Sequence, residues 1–479
     1  MIRCSLILPI TLAAVLAAIA GHAQSIDAYN PNPSGPVNTM APQADGKLII
    51  GGNFYAIAGG PQSRIARLNV DGSLDTSFAN IGVNSNITAV AVQPDGKVLI
   101  GGDFDQVGGQ ARHHLARLNA DGTLDSAFAD PGLDGGVVAI AVQRDGSVVV
   151  GGSFTKVGSV AKNYLARLDA QGGFDQNSFA NPQLCCGPVR SVALQADGNV
   201  LVGGYFSQVG TASQFYFARF SASGAFDATF PNIGRDIQAG SIVVAPDGSV
   251  YVADVGAEYV VKLTAGGTAA PGFTSAVADS TINAIALQPN GKVVISGIFQ
   301  TVGGQARHGM ARLNADGSLD ATFADPQLSL DSTHPNGYVY GVGAQSDGNI
   351  VAVGNFSLAS GQPRNLMARI TTGDYVKNAL TVQPGSGNLI ATWTRAGDGP
   401  ELVQAPNLGH STDGVNFTIV GPMTRIANGW QVTAPYNVHG SLFYLRASGT
   451  TSNGAGNGSP GQIASDVFFS DTIFKSGFE

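Results

Sequence analysis

Gln93–Phe104 reads QPDGKVLIGGDF, Gln143–Phe154 reads QRDGSVVVGGSF and Gln195–Phe206 reads QADGNVLVGGYF. The phrase returns about every fifty residues. A fixed period of that length marks an array of one supersecondary unit, because one unit cannot bury its own apolar face and must stack on copies of itself. Nothing in the phrase is a set of catalytic groups, so it decides architecture and not activity.

Outward from the phrase, turn dipeptides stand at Asp45-Gly46, Asp95-Gly96, Asp145-Gly146, Asp197-Gly198, Asp247-Gly248, Asn290-Gly291 and Asp347-Gly348, which gives seven repeats. Each dipeptide joins strands such as Thr88–Val92 and Lys97–Gly101 as a hairpin turn whose positive φ these residues tolerate. One position of the first strand is held by Ala41, Ala91, Ala141, Ala193, Ala286 and Gly343, the small side chains expected of an innermost strand crowded near an axis. A third strand, Leu115–Asn119, comes next, and after a second Asp-Gly turn a short fourth, Leu124–Phe128. Four antiparallel strands repeated seven times predict an all-β fold, a seven-bladed β-propeller over 24–372. A parallel β-helix is the rival, but its coils are shorter and lack two hairpins each. The seventh repeat stops after Met367–Ile370, and Ile26-Asp27-Ala28-Tyr29 matches its missing fourth strand, so the N-terminal strand is expected to close the ring and remove the open edges.

The GG-x-F, A-R-L-N-x-D-G and L-D-x-x-F phrases resemble the delta-60 repeat family of secreted and surface-associated bacterial proteins, over about Ile26 to Ile370. The resemblance implies a propeller-like array and carries no shared activity. Repeat five departs from it, with Ala253-Asp254-Val255-Gly256 in place of Gly-Gly-x-Phe.

Charged residues are only 12% of the 479, and hydrophobic residues reach 44%, which excludes a disordered chain. A net charge of -8 without Lys/Arg clusters gives no footprint for nucleic acid or an acidic membrane surface. Arg3, the apolar run Leu6–Ala20 and Gly21-His22-Ala23 read as a secretory signal peptide over 1–23, with mature protein from Gln24 and a secreted, periplasmic or cell-surface location. The run is too short to span a membrane, and no spanning segment is expected in the mature chain. Cys4 leaves with the signal; Cys185 and Cys186 read as two loop residues with no framework role, a disulfide between neighbours or a metal-binding pair being the rarer alternatives.

An arginine recurs at Arg67, Arg117, Arg167, Arg219, Arg312 and Arg369, and an aspartate eight positions on at Asp75, Asp125, Asp175, Asp227 and Asp320. They read as structural ion pairs across a turn, since a catalytic group is not needed six times. Arg369 is expected to pair with Asp27 across the closure, and repeat five loses both partners, to Lys262 and Ala270. By meander parity the Asp-Gly turns share one end of the propeller and the long connections gather on the other. That loop-rich face carries Arg64, Arg112, His113, His114, Lys162, Arg307, His308 and Arg364, the candidate ligand-binding groups. The histidines lack partners at any established ligand spacing, so neither metal nor cofactor is expected. No G-x-S-x-G elbow or P-loop occurs, and no catalytic residue is assigned.

After 372 the period ends. Alternating segments around Trp393 and Trp430 predict a small β-sandwich-like domain over 373–447 with both tryptophans in its core. A Gly/Ser/Asn linker over 448–462 and an apolar tail over 463–479 follow, the tail being either a sorting signal or one more docked strand. The functional expectation is an exported, monomeric, non-enzymatic propeller that binds a protein or glycan through its loops. The alternatives are a hydrolase or lyase acting on an extracellular polymer, which would carry carboxylates, His or Tyr at the central mouth in only one or two blades, and a structural cell-surface protein.

Overall fold

The computed structural model describes residues 24–479 except 176–178, 181–182, 234–238, 255, 257, 332, 334–336, 373–375, 386–387, 398, 414–415, 436–441, 453–459 and 471–479. Residues 1–23, expected to be a signal peptide, and the end of the tail, including Ile473-Phe474 and Gly477–Glu479, lie outside the described residues. The described elements are all strands, and none is a helix able to cross a membrane.

Each repeat folds as an antiparallel meander. In the second, Ile87–Val92 pairs with Val98–Gly102, which pairs with Leu115–Leu118. Five of the six residues of Ile87–Val92 and all of Val98–Gly102 are buried, because inner strands are covered by neighbouring repeats on both faces. The inner strands Val37–Pro42, Ile87–Val92, Val137–Val142, Val189–Leu194, Ala239–Val244, Ile282–Leu287 and Tyr338–Ala344 touch in that order, and the last returns to the first. This ring is a β-propeller.

Two expectations change in detail. The fourth strand is a single bridge, Leu68↔Leu74 or Leu118↔Leu124, since the turn at Asp125 bends the chain away immediately. It becomes a paired strand where Ser25–Ile26 lies against Thr371 and Ile370 and so joins the two ends of the array. The connection after Gly-Gly-x-Phe is a small hairpin rather than an open loop, for example Gln106–Val107 against Gln110–Ala111.

Beyond the array, Val376–Gly385, Asn388–Gly397, Gly429–Pro435 and Thr424–Ile426 form one four-stranded sheet. Thr418–Pro422, Asn407–Ser411, Leu442–Ser452 and Pro460–Ser470 form another. One core joins them, with Trp393, Leu408, Trp430, Phe443 and Leu445 buried. The tryptophans are thus packing groups, and Trp393 donates its indole N–H to Asn378 Oδ1 at 2.6 Å. The linker expected over 448–462 is shorter than its composition suggests. Leu442–Ser452 pairs residue for residue with Pro460–Ser470, because small residues fit a long antiparallel ladder as well as a coil. The tail's first eight residues, 463–470, are therefore a docked strand.

Both turns of a repeat lie together, Gly96 beside Ala120 and Gly146 beside Ala170. On this end the C-terminal sheets sit over the ring. Pro460–Ser470 packs against three inner strands, Val37–Pro42, Ile87–Val92 and Val137–Val142, and Glu401 N–H donates to Leu287 O at 3.0 Å.

Candidate functional site

The recurring Arg and Asp build the seams between repeats. Arg117 Nε donates to Asp125 Oδ2 at 2.7 Å, its Nη1 donates to Ala170 O of the following repeat at 2.6 Å, and its guanidinium lies 4.7 Å from the Phe128 ring centroid. Lys97 reaches the same carboxylate at 2.8 Å. Arg67–Asp75, Arg167–Asp175, Arg219–Asp227 and Arg312–Asp320 repeat the contact, and Arg369 pairs with Asp27 at 2.6 Å while lying over Tyr29. Burial alone would raise the Asp125 carboxyl, but hydrogen bonds from Lys97, Arg117 and the Ala127 N–H overcome it and hold the group down to about 2. A carboxylate with that many donors is a clasp, with nothing left over for a ligand.

The cations assigned to the loop face sit differently from expectation. Arg112, Lys162, Arg307 and Arg364 each follow the Phe of the Gly-x-Phe phrase by eight residues, a position filled by Gln62 and Gln214 in two other repeats. There the small hairpin folds the side chain back onto its own repeat. Lys162, Arg307 and Arg364 are buried, and Arg112 is half-buried. Lys162 Nζ stands 5.5 Å from the Phe174 ring, and burial pushes its pKa down, Asp175 opposing. Arg307 and Arg364 spend Nη1 on the preceding carbonyl, and Arg364 also donates to Asp27 O. These side chains support the hairpins and do not form a ligand-facing rim.

Arg64 is two residues out of register with that group. It shares with His114, Tyr164, Tyr216, Gly309 and Leu366 a left-handed backbone position, φ +65 at Arg64 and +66 at His114, that closes the loop onto Phe54 O or Phe104 O. Its guanidinium donates to Val83 O at 2.6 Å and Tyr55 Oη at 2.7 Å. His113 and His308 pair with Asp130 and Asp325 at 2.6 and 2.5 Å, and each carboxylate also accepts its histidine's backbone N–H, so both pairs fasten a hairpin to the next connection. No group of three metal-ligating side chains occurs among the described residues.

Repetition fails instead at the central mouth. The second residue of each inner strand lines it on the loop side: Asn38, Thr88, Val138, Arg190, Gly240, Asn283 and, one residue later in its longer strand, Tyr340. Asn38, Thr88 and Asn283 donate to inner-strand carbonyls of the next repeat, Ile87 O, Val137 O and Val339 O, which places this ring at the seams of the opening. Arg190 is the one charged residue in these strands, and Tyr338 and Tyr340 are the aromatic ones. Arg190 is exposed and lies 5.4 Å from the centroid of Tyr205, itself exposed at the variable position of Gly-Gly-x-Phe. Tyr338 and Tyr340 are also exposed, and burial, then Tyr338, raises the Tyr340 phenol.

Beside Tyr205 runs Cys185-Cys186-Gly187-Pro188. The two cysteines are joined as a disulfide, which overturns the reading of them as unlinked loop residues. Strand pairing of Leu184–Cys185 with Gln208–Val209 holds the pair in place, and Cys186 adopts φ +77. A comparison of the repeats column by column would have singled out Arg190, Tyr205, Tyr338 and Tyr340. The search for charge in loops passed over them because they lie within or beside inner strands.

Against known proteins, residues 43–78, 93–128, 143–177, 195–230, 288–323 and 345–374 match the family model described as Domain of unknown function (DUF5122) beta-propeller. The chain is thus a β-propeller repeat protein, and no matched segment falls in repeat five. No curated protein matches it. Among solved structures it is similar to a streptogramin B lyase at 11% identity and TM-score 0.43, covering 73% of this chain and 97% of that one. It is similar to virginiamycin B lyase from Staphylococcus aureus at 10% and 0.44, covering 73% and 99%. YCF48 bound to D1 peptide stands at 11% and 0.44, covering 73% and 96%.

Proposed function

We propose that this chain is an exported, non-enzymatic propeller of seven delta-60-type blades, with a β-sandwich over its turn face, that binds a protein or glycan through its loop face. The observation that carries the reading is the division of the two faces. C-terminal strands cover the turn end, whereas the loop-side mouth keeps one exposed arginine and three exposed tyrosines that the repeat does not require. Non-repeating polar aromatics on a rigid scaffold are the pattern of a recognition surface.

The test presents the protein from Gln24 onward to polysaccharide and protein arrays, with Tyr338→Ala/Tyr340→Ala and, on the turn face, Arg144→Ala as variants. Binding that falls with the tyrosine pair and survives Arg144→Ala supports the reading; binding mapped to the C-terminal sheets overturns it. A hydrolase or lyase is the second reading, favoured by the presence of that tyrosine pair in a single repeat. The raised Tyr340 phenol is a poor base near neutral pH in the free protein, which weighs against it. Depolymerisation of a bound polymer would reverse the order. N-terminal sequencing of protein recovered outside the cytoplasm should begin at Gln24 if export follows the expected cleavage.

A further inference from the structure

We infer that the mouth recognises an acidic polysaccharide, a chain of uronate sugars, with Arg190 on Tyr205 as its carboxylate-binding element. The inference rests on the loop-face reading and names its ligand class. Among the described residues the Arg190 side chain has no ion pair or hydrogen-bond partner and lies over the Tyr205 ring at 5.4 Å. Each seam arginine spends its guanidinium on an Asp, and Arg67, Arg117, Arg167, Arg219 and Arg369 also on a carbonyl of the next repeat, so a free, exposed guanidinium inside an inner strand serves no comparable structural end. Stacking on an aromatic face leaves the N–H fork at its edge open for a planar carboxylate.

Tyr205 is held from behind. Its N–H donates to Pro188 O at 2.9 Å, and a Cβ on Gly187 would stand 2.3 Å from Tyr205 O, so the segment locked by Cys185–Cys186 lies directly against it. In other repeats the position of Cys185 is taken by Asn84, Asp134 or Asp279, whose side-chain oxygen accepts two backbone N–H groups of the hairpin. Repeat four replaces that polar clasp with a partly exposed disulfide. Cation, aromatic ring and disulfide thus coincide in one copy.

The rest of the mouth favours a sugar over an acidic peptide. The ring position offers amides, a hydroxyl, a glycine and one aliphatic side chain, Val138, which match the hydroxyl-rich edge of a sugar better than the apolar side chains of a peptide. The C–H face of a sugar suits Tyr205, and phenols at Tyr338 and Tyr340 suit its hydroxyls. Because the chain carries -8, a polyanion is repelled at long range, and retention must come from a local cation.

Affinity electrophoresis of the protein from Gln24 through polygalacturonate, a neutral glucan and poly-glutamate tests this directly. Polygalacturonate should retard the protein and the other two should not. Arg190→Gln should weaken retention by about tenfold, Tyr205→Ala by less, and Arg144→Gln should leave it unchanged, with melting temperatures confirming folded variants. Retention that survives Arg190→Gln, retention by poly-glutamate in place of the sugar, or no retention by polygalacturonate overturns the proposal. A neutral glycan or protein bound through Tyr338 and Tyr340 would do so while leaving the loop-face reading intact.

Discussion

Repeats two and five form the same turn by different means. In repeat two Asp125 N–H donates to Arg117 O at 2.9 Å, and in repeat five Ala270 N–H donates to Lys262 O at the same distance. The adjoining bridges, Leu118↔Leu124 and Leu263↔Ala269, also correspond. What repeat five lacks is the carboxylate. Lys262 instead lies 5.0 Å from the Tyr251 ring, which meets Phe273 edge-on at 5.7 Å. Backbone geometry therefore specifies the turn, and the Arg–Asp pair acts on the seam beyond it, through carbonyls such as Ala170 O.

The strongest test of that distinction is to break a fully formed seam. Arg312 and Asp320 are almost wholly buried, with 2.7 Å between Nε and Oδ2. Arg312→Ala takes one of two cations from a buried carboxylate and leaves Asp320 on Lys292 alone, and it should cost about 3 kcal/mol in chemical denaturation. Lys262→Ala should cost under about 1 kcal/mol, since only its cation–π contacts with Tyr251 and Phe273 go and no buried charge is left behind. Equal costs would mean that the clasp contributes nothing beyond packing.

A comparable loss should follow Gly122→Val. Gly122 sits at φ +85, and a Cβ there would lie 2.7 Å from Ala79 N and 3.0 Å from the Phe78 ring of the preceding repeat. Backbone strain and the clash add, and about 2 kcal/mol or more is expected from the melting curve.

Acid should separate the seams in the same order. Burial works to raise Asp75, Asp125 and Asp320, but their hydrogen bonds prevail and all three fall below the usual carboxylate range. A carboxyl whose pKa is depressed on folding contributes stability above its unfolded value, about 3.9, and loses it as pH falls through the folded value. Stability should thus decline from about pH 4 towards the folded value of about 2 at Asp125. Hydrogen exchange should show the seam after repeat two loosening in that window. Repeat five, with Ala270, should show no such step.

The regular part of the molecule was legible because hairpin turns, small inner residues and paired Arg and Asp are local patterns that repeat. The ring closure could be read because Ile26–Tyr29 carries the residues the last repeat lacks. The loop-face cations misled because the sequence does not reveal that the hairpin after Phe154, Phe299 or Phe356 turns back over its own repeat and buries the side chain at the eighth position. The mouth escaped because Arg190 is a single departure inside a strand, where a search for loop charge does not look. The docked strand Pro460–Ser470 was hidden by a Gly- and Ser-rich partner whose composition fits either a coil or a ladder.

Reducing the disulfide should separate the mouth from the seams. Ser207 N–H donates to Cys185 O at 3.1 Å and Tyr205 N–H to Pro188 O at 2.9 Å, both across the segment that Cys185–Cys186 constrains. Dithiothreitol should speed hydrogen exchange at Ser207 and Tyr205 several-fold and leave Asp125 and Asp320 unchanged, because local opening need not involve the core. Uniform acceleration would tie the disulfide to global stability instead.

The smallest expected effect runs the comparison backwards. Lys262→Arg with Ala270→Asp would give repeat five the pair that its neighbours carry, at a turn whose backbone already matches theirs, with Phe273 standing eleven residues on as Phe128 does from Arg117. A partly buried Arg–Asp pair of this kind is worth about 1 kcal/mol; Lys262→Arg alone should give almost none of it, and Ala270→Asp alone only part, since Lys262 offers a point charge without the guanidinium fork. A double-mutant cycle reads the coupling directly. Positive coupling would show that repeat five lacks the clasp through its sequence alone; zero coupling would show that the Tyr251–Phe273 contact has reshaped the seam so that the pair no longer fits.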